Sequence, residues 1–137
     1  MSEQIVAEDQ WSQIIFYDEW NSLELKWLSS TSAATDSDLK ITMKAFADEA
    51  VGRRPHTLIV DTTEFIHPWG EDVMRWRDAT IIPLYNRAGV DKFAFIANPN
   101  YPGPTVESGA TPGPDGPANF PTGWFESREA AYRWLAN

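Results

Sequence analysis

The chain has 137 residues, no cysteine and a formal net charge of −9, which fits one domain and excludes disulfides, thiolate chemistry and Cys-ligated zinc. Negative charge disfavours binding to nucleic-acid phosphates and to anionic membrane surfaces. The N-terminus lacks the basic start and apolar stretch of a signal peptide, and the longest apolar run, residues 93–97, is too short to cross a bilayer. We therefore expect a cytoplasmic protein with no membrane insertion and no nucleic-acid partner.

Two short strands are predicted near the start, at residues 13–18 and 23–28. In the second strand alternate residues are apolar, and the other face carries Glu24 and Lys26. Such alternation is typical of a sheet with one buried face and one partly wet face. The turn between the strands contains Asn21, which tolerates positive φ.

The middle of the chain predicts two helices, each followed by a strand. Thr35 is placed to cap the first helix and Gly52 to end it. The apolar residues of this helix, at helical spacing, are Leu39, Met43, Phe46, Ala47 and Ala50. The second helix spans residues 71–88 and contains Pro83, which should kink or break it. Its predicted apolar side carries Val73, Trp76, Thr80 and Leu84. The two strands are apolar on both faces, as expected between layers of helix, and lie at residues 57–61 and 92–97.

Residues 98–121 form a long predicted loop with seven of the ten prolines and four of the eight glycines. A loop of this length is uncommon inside a compact domain and is usually functional or mobile. Three roles fit it: a lid over a pocket, an arm in a dimer interface, or a tolerated insertion. Its apolar content favours an ordered loop in one of the first two roles. A short strand near Trp124 and a helix capped by Ser127 then close the chain.

The resulting order, β-β-α-β-α-β-loop-β-α, predicts a single α/β domain over residues 1–137. Its sheet should be mixed, largely parallel, of about five strands and flanked by helices. The buried strand ending in Asp61 and the closing segment, Trp124-Phe125-Glu126-Ser127-Arg128-Glu129-Ala130-Ala131-Tyr132-Arg133-Trp134-Leu135, resemble the STAS-like, SpoIIAA-like domains from about Gln13 onwards. The resemblance implies a regulatory, protein-binding role. Other STAS-like domains resemble lipid-transfer folds, which implies apolar ligands instead.

One functional motif of that family is missing. In its anti-sigma-factor antagonists, a serine in an Asp-Ser-Ser-Gly motif at a helix N-terminus is phosphorylated. The nearest equivalent here, residues 66–70, reads Ile-His-Pro-Trp-Gly and has no hydroxyl group. Partner switching by serine phosphorylation is therefore not carried over to this chain.

Candidate site residues gather at the end of strand 57–61 and in the long loop, because ligands of open α/β sheets bind at the carboxyl ends of strands. The candidates for ligand or partner binding are Asp61, Thr62, Thr63, His67, Trp69, Arg75, Trp76, Tyr101, Phe120 and Trp124. Asp61, His67 and Glu71 make a poor zinc set, and neither a phosphate loop nor a dinucleotide fingerprint is present. We therefore expect no metal, no cofactor and no catalytic residue. Asp61 and the threonines also suit a purely structural loop cap, and Arg75 a solvated helix face.

Three functions are compatible with these residues. The first is a non-enzymatic STAS-like module that binds a protein partner or itself, as a homodimer. The second is a carrier or sensor of a small apolar ligand, with residues 98–121 as lid. The third is an enzyme that uses Asp61 and His67. An exposed tryptophan patch would favour the first and a cavity under Tyr101 and Phe120 the second, whereas the third requires His67 within hydrogen-bond reach of Asp61 or Glu71.

Overall fold

The computed structural model describes residues 3–67, 71–97, 109–111 and 120–136, the segment 109–111 by its backbone alone. Trp69, Tyr101 and most of the loop at 98–121 lie outside the described residues. The strands are β1 (Glu3–Glu8), β2 (Ser12–Tyr17), β3 (Ser22–Trp27), β4 (Thr57–Asp61), β5 (Lys92–Ile96), β6 (Gly109–Thr111) and β7 (Thr122–Phe125). The helices are α1 (Asp36–Arg53), α2 (Glu71–Trp76), α3 (Ile82–Ala88) and α4 (Arg128–Ala136). Within these segments no helix is long and apolar enough to cross a membrane.

The strands form one sheet in the order β1-β2-β3-β4-β5-β7-β6. The α/β class and a mixed sheet flanked by helices are confirmed. The predicted strand number was too low, since the structure adds β1 and β6 at the two edges. β1 is mostly exposed and therefore lacks a buried alternation that the sequence could reveal, and β6 has only three residues. The sheet is also less parallel than predicted: β3, β4, β5 and β7 run parallel, whereas the outer pairings are antiparallel.

The helices pack on both faces of the sheet. The larger core lies on the face covered by α1 and α3, where β3 contributes Leu23, Leu25 and Trp27. The smaller core lies on the opposite face, where α4 packs against β5 and β7 through Ala131. Successive side chains of each strand point to opposite faces of the sheet, and therefore lie in two different environments. Glu24 is on the α4 face and is fully buried there, so the expectation of a partly wet face fails at this position.

The start of α1 follows its sequence signal, whereas its end does not. Thr35 caps it, since its Oγ1 accepts from the Asp38 amide while the Asp38 carboxylate accepts from the Thr35 amide. The predicted apolar stripe of α1 is buried. Gly52 does not end the helix, which continues to Arg53, and Arg54 takes the left-handed conformation with φ 50°. Pro55 prevents a further turn because it lacks an amide hydrogen.

The second predicted helix is interrupted by a π-helical turn, Arg77–Ile81, between α2 and α3. Pro83 lies at the start of α3 instead of inside a continuous helix. The wider turn adds a residue and shifts the buried stripe by one position. The sequence predicted Thr80 and Leu84 on the buried side, whereas the buried residues after Val73 are Ile81, Tyr85 and Ala88.

Two glycines in open surroundings provide a test of these helix ends. A Cβ atom at Gly52 or Gly89 would have no heavy atom within 4 Å, but Gly89 has φ +77°. We expect Gly52→Ala to raise the free energy of unfolding by about 0.5–1 kcal/mol. Alanine lowers the conformational entropy of the unfolded chain, and the helical conformation at this position suits it. Gly89→Ala should lower the free energy of unfolding by about 1 kcal/mol, because a side chain disfavours the left-handed conformation. Urea unfolding measures both, and changes of the same sign would contradict the assignment of helix ends.

Candidate functional site

Two of the depressions that the described residues form lie on opposite faces of the sheet. The first, here called the aromatic cavity, has a volume of about 210 Å³ and lies on the face that carries α1 and α3. Its lining residues come from four strands, two helices and the π turn, together with Phe120, two residues before β7. They are Leu25, Trp27, Met43, Val60, Arg77, Asp78, Ile82, Tyr85, Phe93, Phe95, Phe120, Thr122 and Trp124.

The wall of the aromatic cavity formed by the sheet is a row of apolar side chains held in register. Leu25 pairs with Val60, Val60 with Phe95, and Phe95 with Trp124, across β3, β4, β5 and β7. The rings of Phe95 and Trp124 stack with centroids 4.2 Å apart. Phe93 stacks on Phe95 at 4.9 Å. Parallel pairing thus places successive aromatic rings side by side, which produces a flat apolar wall.

One end of the aromatic cavity is polar. Arg77 and Asp78, in the π turn, line it together with the phenol of Tyr85. Burial raises the pKa of Tyr85 above its usual range, although the nearby Arg77 charge acts in the opposite direction. The phenol therefore stays protonated at neutral pH and keeps its hydroxyl hydrogen for donation.

The second depression, here called the polar cleft, has a volume of about 540 Å³ and lies on the face that carries α4. It is lined by Glu3, Ile15, Tyr17, Glu19, Trp20, Glu24, Lys26, Asp61, Thr63, Arg128 and Tyr132. Trp20 stands between two of these rings, with centroids 5.5 Å from Tyr17 and 4.4 Å from Tyr132. The polar cleft therefore combines charged groups with an aromatic side.

Arg128 links the groups at the base of the polar cleft. Its Nη1 donates to Asp61 at 2.6 Å and to Glu24 at 3.1 Å. Its Nη2 donates to the second Glu24 oxygen and to the hydroxyls of Tyr17 and Tyr132, and Nε donates to Tyr132. Both carboxylates are almost fully buried, at 0% exposure for Glu24 and 3% for Asp61. Every nitrogen of the guanidinium is used inside the protein, so Arg128 is better suited to holding α4 on the sheet than to binding an anion.

Burial and the Glu24 charge change the acid–base properties of this cluster. Burial raises the pKa of Tyr17, and the carboxylate of Glu24 raises it further. Burial by itself would lower the pKa of Arg128, but its hydrogen bonds to Glu24 and Tyr132 outweigh that effect and raise the pKa. At neutral pH the guanidinium is therefore charged and the Tyr17 phenol neutral.

The structure separates the predicted site residues into two groups. Asp61 and Thr63 line the polar cleft, and Thr63 Oγ1 donates to Asp61 Oδ1 at 2.6 Å. Phe120 and Trp124 line the aromatic cavity on the opposite face. Thr62 belongs to neither, because its amide and hydroxyl both donate to the carbonyl of Ile96.

Three further predicted residues, His67, Arg75 and Trp76, are described by the structure and line neither site. Nε2 of His67 and Oδ1 of Asp36 are 2.8 Å apart. Within the described segments no hydrogen bond joins His67 to Asp61 or Glu71, and no group of three or more His, Asp or Glu side chains is placed to hold a metal ion. Arg75 is exposed on α2 and pairs with Glu71 and Asp72.

Trp76 is half-buried, and Lys40 Nζ lies 5.5 Å from its ring centroid. Trp69 and Tyr101 are among the residues that the structure does not describe.

Most residues of the polar cleft, including Tyr17, Glu24 and Arg128, were not predicted from the sequence as site residues. One signal was present: Arg128 is the first residue of α4, where the helix dipole disfavours a positive charge. An arginine at that position indicates a compensating acidic partner, and Glu24, between two leucines of β3, is a second anomaly. Neither anomaly identifies its partner, since 104 residues separate the two.

Removal of the guanidinium should destabilise the protein strongly. Arg128→Gln leaves two buried carboxylates without a counter-charge, so we expect the free energy of unfolding to fall by about 3 kcal/mol, the lower end for a buried ion pair because Arg128 itself is 36% exposed. Arg133→Gln, at an exposed position on the same helix, should change it by less than ~0.5 kcal/mol. Equal effects of both substitutions in urea unfolding would show that Arg128 contributes no more to the free energy of unfolding than an exposed arginine.

Stability should also decrease at high pH. The raised pKa of Tyr85 means that the folded state keeps this proton to higher pH than the unfolded chain, whose tyrosines titrate near pH 10. Its contribution to stability is therefore complete below about pH 10 and is lost as the pH rises beyond that value. Above pH 10 we expect Tyr85 to contribute a slope of up to ~1.4 kcal/mol per pH unit. Tyr85→Phe should remove this part of the slope in unfolding experiments between about pH 8 and pH 12, and an unchanged slope would contradict the assignment.

The chain matches no protein-family model, no curated protein and no solved structure. The resemblance to STAS-like domains therefore stays a prediction from the element order and the closing strand and helix. A function is accordingly inferred from the chemistry of the aromatic cavity and the polar cleft.

Proposed function

We propose that this chain is a non-enzymatic STAS-like module that carries or senses a small, flat, largely apolar ligand in the aromatic cavity. The single observation that carries the proposal is the row of stacked rings, Phe93, Phe95 and Trp124, that lines a concave volume of about 210 Å³. Ligand pockets are typically concave and apolar, with a few polar groups that orient the ligand. The aromatic cavity has this composition.

The volume of the aromatic cavity limits the size of the ligand. A cavity of about 150 Å³ accommodates benzene, whereas drug-sized ligands occupy roughly 300–1,000 Å³. At about 210 Å³ the aromatic cavity suits one ring or a small fused ring system. A ligand ring would pack against Phe95 and Trp124, stacked or edge to face, and gain about 0.5–1.5 kcal/mol per aromatic pair beyond the burial of its surface.

The preference for a ligand over a protein partner reverses the order that the sequence favoured, and it depends on tryptophan burial. Among the described tryptophans only Trp20 is exposed, at 39%. Trp124 stacks inside the aromatic cavity and Trp27 is buried in the core. Among the residues whose side chains the structure describes, the exposed large apolar ones come from four separate segments and are Ile5, Trp20, Ile41 and Ile66. This pattern gives little support to a continuous tryptophan contact patch.

The non-enzymatic part of the proposal is supported by the contacts of the two residues offered for catalysis. Asp61 accepts hydrogen bonds from Arg128 and Thr63. His67 pairs with Asp36 on α1. A general base must reach the proton that it removes, and these contacts engage both groups with different partners.

Self-association is a second candidate, because β1 is an edge strand and its Ile5 is 50% exposed. An exposed edge strand can pair with the same strand of a second copy. Such pairing is compatible with ligand binding, since β1 and the aromatic cavity share no residue.

The ligand-binding proposal is tested with indole, a neutral flat probe, by isothermal titration calorimetry. We expect a dissociation constant of about 1 mM or tighter, near −4 kcal/mol. Ile82→Trp, which fills space beside the cavity, should weaken binding at least about tenfold because the larger ring occupies the volume. Ile41→Trp, at a 69% exposed position on α1, is the matched control and should bind like the wild type.

Two results would contradict the proposal: no heat of binding for the wild type, or equal affinity in a folded Ile82→Trp variant. Circular dichroism and urea unfolding establish that both variants are folded. Native mass spectrometry of gently purified protein adds an independent measurement. An adduct that leaves on denaturation supports a bound ligand, and a dimer without added mass supports self-association.

A further inference from the structure

The polar end of the aromatic cavity restricts the chemistry of its ligand. Nine of the thirteen lining residues have apolar side chains, and the exceptions are Arg77, Asp78, Tyr85 and Thr122. Arg77 is the one cationic group among the described lining residues. A ligand that fills the aromatic cavity must therefore present an apolar body to the sheet and a polar group to the π turn.

Arg77 is the first residue of the π turn. The turn adds one residue to the helix, so that the next buried positions are Ile81 and Tyr85 instead of Thr80 and Leu84. The side chain of Arg77 is only 20% exposed. A single-turn π-helical insertion is uncommon in proteins and frequently lies at a functional site.

The partner of Arg77 within the described residues is a poor match for its guanidinium. Nε and Nη2 both donate to the same oxygen of Asp78, at 3.3 and 3.2 Å. A carboxylate in the preferred geometry accepts two parallel hydrogen bonds on its two oxygens, at about 2.7–2.9 Å. Asp78 directly follows Arg77 in sequence, and its side chain is 46% exposed. Water can therefore replace this contact at little cost.

We infer that the ligand of the aromatic cavity is a small aromatic carboxylate, whose ring stacks on the wall of Phe95 and Trp124 and whose carboxylate forms a two-pronged ion pair with Arg77. The inference rests on the proposed function. The pair replaces the long contact with one Asp78 oxygen by two parallel hydrogen bonds, the geometry that a guanidinium binds best, at a side chain that is only 20% exposed. The Tyr85 hydroxyl lies at the same end and supplies a further donor.

A cationic ligand would meet the opposite arrangement. Its counter-charge would be Asp78, which is half exposed, while the more buried Arg77 would repel it. Among charged ligands the anion is therefore the better match, because the more buried charge gains more from a partner. The net charge of −9 gives no general attraction for anions, so any preference for an anion reports on the local guanidinium.

The test uses benzoate, benzamide and benzylamine, which share a ring and differ in charge, with isothermal titration calorimetry at pH 7 and about 0.15 M salt. We expect benzoate to bind at least about tenfold more tightly than benzamide, and benzylamine to bind most weakly. Arg77→Gln should reduce the affinity for benzoate to that for benzamide while benzamide binding changes less than about twofold. Arg87→Gln, an equal change of charge at an exposed position on α3, should leave the preference intact.

A second variant keeps the inference testable if Arg77→Gln fails to fold. Asp78→Asn removes the competing carboxylate at a half-exposed position and should tighten benzoate binding severalfold with little effect on benzamide. Benzamide or indole binding without a preference for benzoate would overturn the inference and leave the proposed function standing. Absence of binding by all of these probes would overturn the proposed function itself.

Discussion

The guanidinium of Arg128 lies between two carboxylates, those of Glu24 and Asp61, that are almost completely removed from solvent. Burial of a carboxylate is costly unless a counter-charge and hydrogen bonds compensate it. Arg128 supplies both, and because it is the first residue of α4 it also fixes that helix against β3 and β4. The remainder of α4 then covers β5 and β7, where Ala131 is fully buried. The second face of the sheet is thus closed partly by an apolar contact and partly by an ion cluster.

The two faces of the sheet consequently have different chemistry although they share the same strands. Along β3 and β4, alternate residues contribute Leu25 and Val60 to the aromatic cavity and Glu24 and Asp61 to the polar cleft. The parallel register of four central strands aligns each row. Within the described residues every nitrogen of the Arg128 guanidinium is hydrogen-bonded, which supports a structural role for the polar cleft. Arg77 has only a one-oxygen contact with Asp78 among these residues, which supports the proposal of a ligand in the aromatic cavity.

The predictability of the fold varied with the range of the interactions involved. Residues 57–61 form β4 as the sequence predicts, and the stripe of α1 is buried, because apolar periodicity reports directly on burial. The helix containing Pro83 was less predictable, since the position of the break depends on how the π turn packs on the sheet. Among the candidate site residues, Phe120 and Trp124 share the aromatic cavity, but Asp61 lies across the sheet from them. Their common position near strand ends did not reveal which face each side chain takes.

The sequence by itself determined the α/β class, the central strands, the cap of α1 at Thr35 and the absence of cysteine chemistry. These features depend on composition and on contacts between residues close together in the chain. Only the tertiary structure decided that Glu24 is buried, that Arg128 is its partner, and that Phe95 and Trp124 stack into one wall. Each of these depends on strand order and on register, which bring together residues far apart in sequence. A local pattern carries no information about which of several distant charges or rings will be the neighbour.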